Sequence, residues 1–154
     1  MYTTLLAFHS WLRWAVLIAA LIAAVRGISG VVGKRRWTRS DDRAGFWFVN
    51  LIDLQILIGL VMYFFLSPIT KEALRGFGAA MDNAGLRFWA VEHVFGMVVA
   101  IALAHAGRAR TKKLRDDAAR HKVAAICFVL ALVAILISIP WPGMPNGRPL
   151  WRGF

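Results

Sequence analysis

The chain has 154 residues, 59% hydrophobic and 18% charged, with 19 Lys and Arg against 8 Asp and Glu, a net charge of +11 and a mean hydropathy of +0.59. A soluble nucleic-acid-binding domain would spread that surplus over its surface, whereas here the basic residues are blocked together and the apolar residues run unbroken, which excludes that class. The single cysteine, Cys127, sits inside an apolar run and excludes a disulfide framework or a Cys-based metal site, and no C-x-x-C-H is present for covalent haem attachment.

Four apolar runs approach the roughly 20 residues needed to cross a bilayer: Leu5–Val25, Phe46–Leu66, Phe88–Ala106 and Val123–Ile139. The first has no positive segment before it and is interrupted by Arg13, so it reads as a true span rather than a signal peptide. Six basic residues follow it between Arg26 and Arg43, together with the acidic pair Asp41-Asp42. The loop between spans two and three carries Lys71, Arg75 and Arg87. Seven basic residues lie between Arg108 and Lys122, again with an acidic pair, Asp116-Asp117. Both acidic pairs stand where they would cap the next helix. The segment 140–154 holds four of the five prolines with Arg148 and Arg152, and reads as an outer-surface strap.

Thirteen basic residues thus fall on one side and five on the other. By the positive-inside rule both termini face outward and the basic loops face the cytoplasm. The expected fold is all-α: a single transmembrane domain over residues 1–154, an integral membrane four-helix up-and-down bundle, N-out and C-out. The expected location is a bacterial plasma (inner) membrane. Trp11, Trp89, Trp141 and Trp151 near the outer ends and Trp37 and Trp47 near the inner ones fit an aromatic belt.

Ionisable groups inside hydrocarbon are costly and are functional candidates by default. They are His9 and Arg13 in span one, Asp53 in span two, and Glu92, His93 and His105 in span three, with His121 at the start of span four. His9 and His93 lie roughly 6–8 Å below the outer boundary, and His105 and His121 lie at the inner level, so the four histidines sort into an outer and an inner pair. Two facing imidazoles across a bundle are what a b-type haem requires. His93 and His105 are twelve residues apart, which turns them about 120° from each other. His93 therefore addresses helix one, across the diagonal gap of an up-down bundle, and His105 helix four. The outer pair is the better site; helices three and four, about 10 Å apart, are tight for a second haem at the inner pair unless their inner ends splay. Against these stand plainer readings: histidines that snorkel to the interface, and Gly96, Ala100 and Ala104 as a helix-packing stripe rather than a shelf for a flat ring. Gly27, Gly30 and Gly33 read as a relaxed helix exit. Arg13 would meet a haem propionate or pair with Glu92, the pair being favoured, and Arg87 is placed for an outward-pointing propionate. Asp53 would relay a proton, orient a ligand histidine or satisfy the backbone. Cys127 reads as packing.

The segments Phe8-His9-Ser10-Trp11-Leu12-Arg13-Trp14, Arg87-Phe88-Trp89-Ala90-Val91-Glu92-His93 and Ser138-Ile139-Pro140-Trp141-Pro142 resemble a family of small bacterial four-span proteins described as cytochrome-b-like. The resemblance covers nearly the whole chain. It implies haem b held by histidines, carried by position to His9, His93, His105 and His121, and electron transfer with membrane quinone. The spacing of twelve departs from the larger quinol-oxidising cytochromes b, whose paired ligands share one helix face, and this puts a standard two-haem stack in doubt. The expectation is a b-type cytochrome exchanging electrons with quinone or a redox partner protein. It would be surrounded by membrane lipid, with no nucleic-acid partner, and either homo-oligomeric or part of a larger complex. Any enzymatic activity would be quinol or quinone oxidoreduction. The competing expectation is a non-redox accessory or assembly subunit, with copper or zinc on the histidines.

Overall fold

A computed structural model describes residues 1–151; Arg152, counted with the basic residues of the tail, lies outside the described residues. The described residues are mostly helical and contain no strand. Four helices are long and apolar enough to cross a bilayer: α1 (Tyr2–Val32), α2 (Arg39–Val61, continued by a π-helical turn Met62–Leu66), α6 (His93–Lys113, preceded by a π-helical turn Phe88–Glu92) and α7 (Asp117–Ser138). The four expected runs are the apolar cores of these helices, which extend further into the basic loops.

The helices pack in a ring, α1 on α2 and α7, and α6 on α7 and, most loosely, on α2. Neighbours are antiparallel. Near the start of α1, the His9 carbonyl accepts from Gln55 late in α2; at the start of α6, His93 bonds Ser138 at the end of α7. At the opposite, basic end Arg26 late in α1 pairs with Asp41 at 2.9 Å, and Arg108 late in α6 grips Asp42 through both guanidinium nitrogens. The acidic pairs do cap, in different ways. Thr38 is the N-cap of α2 with Asp41 as its capping-box partner, while Asp116 caps α7 by accepting from Ala119 N–H.

Close packing relies on small residues, since hydrocarbon gives helices no hydrophobic drive to associate. A methyl group on Gly27 would sit 2.6 Å from the Ala125 nitrogen, one on Gly30 2.0 Å from His121, and one on Gly107 2.7 Å from the Cys127 Cβ. Gly27 and Gly30 are therefore contact points between α1 and α7 inside an unbroken helix, and only Gly33 stands at the exit. Gly96 likewise lies against Ser138 of α7, and Ala100 and Ala104, one and two turns further on, are fully buried, as a packing stripe requires. Phe48 and Phe128 meet edge-to-face at 5.6 Å in the bundle centre.

The loop between spans two and three folds into three short helices: α3 (Pro68–Arg75), α4 (Phe77–Asp82) and α5 (Ala84–Arg87). Ala73, Ala80 and Ala90 form a small core beneath them. Thr70 Oγ1 donates to the Tyr63 carbonyl and the Tyr63 hydroxyl to the Ala90 carbonyl, which ties both π-helical turns to this cap. The tail returns over the same end as a strap: Trp151 stacks on Trp14 at 5.2 Å, and Leu150 O accepts from Arg13 Nη2 at 2.7 Å and from Trp14 Nε1 at 3.3 Å.

Candidate functional site

At the end of the bundle that holds Met1 and the strap, His9 of α1 and His93 of α6 face each other across the diagonal, ring centroids 6.5 Å apart and planes at 68°. His93 Nδ1 lies 2.8 Å from the Ser138 carbonyl oxygen. A carbonyl only accepts, so Nδ1 carries the proton and Nε2 is the ring's open lone pair. That carbonyl is free for a readable reason: the N–H that would continue the helix onto it belongs to residue 142, a proline. His9 has its Nδ1 buried with no partner, and its Cε1 packs 3.3 Å from where a Cβ on Gly59 would stand. Gln55 fixes the backbone beside His9 from Nε2, while its Oε1 is buried and unpartnered.

Two cavity lobes share both histidines, of about 100 Å³ and about 90 Å³. The first lies along the loose α2–α6 seam, against Ile56, Gly59, Leu60 and Tyr63 of α2 and Val94 and Met97 of α6. The second reaches toward α7 and the strap, against Arg13, Ile135, Ile139 and Arg148. Trp89 walls both and lies 5.6 Å from the His93 ring. Tyr63 and Trp89 each stand in a π-helical turn, a form of backbone frequent at functional sites.

The donor set fits the axial ligation of a flat ring: opposed imidazoles on diagonal helices, one with its far nitrogen anchored to a carbonyl as ligand histidines are, and lobes on either side to receive the ring edges. Each lobe is smaller than the roughly 300 Å³ at which small-molecule sites begin. The 6.5 Å between the ring centroids is close to the roughly 6 Å that two imidazoles take on one ion at metal–nitrogen distances of about 2.0 Å. Among the described residues no three His, Cys, Asp or Glu side chains converge, so an ion here would have two protein ligands.

The inner histidines are not brought to each other. His105 Nε2 bonds Asp53 Oδ1 at 2.8 Å across the α2–α6 seam, with both side chains about half exposed on the helix surface. His121 is fully buried against Gly30 and beside Trp37, centroids 4.9 Å apart, with both nitrogens unpartnered, so it does not snorkel to the interface. Asp53 thus bonds a histidine that stands outside the facing pair.

The arginines also depart from expectation. The Arg13–Glu92 pair does not form: Glu92 is bonded by Arg87 Nε at 2.8 Å, and Arg13 reaches the strap at Leu150. Arg87 spends Nη1 on the Met81 carbonyl and lines neither lobe. Arg148 of the tail takes a place in the second lobe instead. Gln55 and the Ser138 carbonyl are the other additions. Comparison with protein-family models, curated proteins and solved structures gives no match for this chain.

Proposed function

We propose that the chain is a small b-type membrane cytochrome with one haem between His9 and His93, exchanging electrons with membrane quinone or a redox partner protein. The observation that carries this reading is the opposed histidine pair at 6.5 Å, with the His93 tautomer held by Ser138. Haem b, when bound, supplies one-electron exchange at iron. The chain's residues would present two nitrogen lone pairs, hold the His93 ring through Ser138 and the His9 backbone through Gln55, and exclude water with Leu6, Ile52 and Met97. The first lobe meets the bilayer along the loosest helix seam, which suits entry of an apolar ligand from lipid. His105 and His121 are proposed as structural rather than as a second ligand pair, since each has its own separate surroundings. The positive-inside rule supports N-out and C-out in a bacterial plasma membrane, with the haem near the outer surface and the basic loops cytoplasmic.

The test is a purified sample from haem-replete cells: a Soret band that shifts on dithionite reduction and vanishes in His9→Ala and His93→Ala. A colourless sample removes the reading. The present size of the lobes favours a second reading, a non-redox subunit holding one copper or zinc ion between the same two histidines; it predicts a colourless sample with one such ion per chain by elemental analysis.

A further inference from the structure

The second lobe has a charge balance that the histidine pair does not explain. Its wall carries two guanidinium groups, Arg13 from α1 and Arg148 from the strap, and no Asp or Glu. Arg13 bonds Leu150 O through Nη2 and lies over Trp14 at 5.4 Å, but its Nε is buried with no partner. Arg148 lies over Trp89 with its guanidinium carbon 5.1 Å from the ring centroid, and its backbone N–H donates to Pro140 O at 3.0 Å, which pins it above the lobe. Among the described residues neither arginine forms an ion pair, although Arg26, Arg87 and Arg108 all do. The remaining wall is largely apolar, with Val16, Ile135 and Ile139. A buried N–H donor without an acceptor is costly, and a guanidinium fork matches a carboxylate in shape and charge.

We infer that the second lobe is a carboxylate subsite, in which Arg13 and Arg148 hold an anionic group carried on an apolar body. In one of its two sources the inference rests on the cytochrome reading: the carboxylate is a haem propionate. In the other it is the head of a free amphiphile such as a fatty acid. Either way Arg148 acts in place of Arg87, whose Nε and Nη1 are engaged by Glu92 and the Met81 carbonyl and which lines neither lobe.

The experiment titrates the purified full-length apo chain in detergent with haem b and with its dimethyl ester, following the Soret band. The wild type is expected to bind haem about 10- to 100-fold more tightly than the ester, the range of a charge-assisted hydrogen bond. Arg148→Gln should reduce that preference to about threefold or less, Arg148→Lys should retain part of it, and Arg87→Gln should leave it whole. A preference that persists undiminished in Arg148→Gln overturns the proposal. If neither ring form binds, the cytochrome reading has failed and the subsite is tested by thermal melting with decanoate against decanol. A larger stabilisation by decanoate in the wild type, lost in Arg148→Gln, supports the subsite as a fatty-acid site. Equal shifts by the acid and the alcohol overturn it.

Discussion

His93 of α6 donates from Nδ1 to the carbonyl oxygen of Ser138, the last residue of α7, at 2.8 Å. Two prolines make such bonds available. Pro142 would supply the N–H for Ser138 O and Pro140 the one for Leu136 O, and neither has one to give. His93 takes the first carbonyl and Trp141 Nε1, at 2.8 Å, takes the second. The helix end that closes the bundle is thus also what orients the candidate ligand.

The contacts of Gly27 predict a local stability effect. Gly27→Ala places a methyl group 2.6 Å from a backbone nitrogen of α7, which cannot rotate away. It should destabilise the bundle by about 1–3 kcal/mol, read as a lower melting temperature in detergent. Gly78→Ala, with nothing within 4 Å, should leave it unchanged or slightly raised.

The His105–Asp53 pair should behave as a unit. Asp53→Leu or His105→Leu leaves one polar partner facing hydrocarbon alone, whereas the double variant removes both. The double variant should be more stable than the sum of the single effects, with a coupling of about 0.5–2 kcal/mol in a double-mutant cycle. Additive effects would show that the pair contributes nothing. A haem lost from the double variant would make His105 a ligand.

His121 has two buried ring nitrogens and no partner for either. Replacing such a group by an apolar one of similar size is near neutral or stabilising. His121→Leu should therefore keep both the melting temperature and the full haem content. Loss of one haem equivalent would identify an inner site.

Sidedness is testable by thiol labelling in intact bacterial cells, where buried Cys127 gives little background. Lys71→Cys should react with a membrane-impermeant maleimide, and Lys112→Cys should react only after permeabilisation. The reverse pattern would invert the proposed orientation.

The four spans are legible in the sequence because apolar runs of that length have few other uses. The His9–His93 relationship is legible because both residues sit at similar depth on helices of the same direction. The inner level is not, because equal depth says nothing of which face a side chain leaves by: Asp53 captures His105, and the absence of a side chain at Gly30 lets His121 sink into the α1–α7 contact. The arginine roles fail for a similar reason. Arg13 and Glu92 are near in depth, but Arg87 is five residues before Glu92 and reaches it first. Arg148 enters the site only because the strap folds back over the bundle, and residue spacing does not encode that fold-back. Gln55 had a signal, as the single glutamine of the chain inside an apolar run. The freed Ser138 carbonyl had one in Pro142.

The most direct measurement is haem per chain in the purified wild type, His9→Ala and His93→Ala proteins, by pyridine haemochrome against protein concentration. The account predicts one b-type haem in the wild type and none in either variant. No haem in the wild type, or haem retained at full content in both variants, would contradict it.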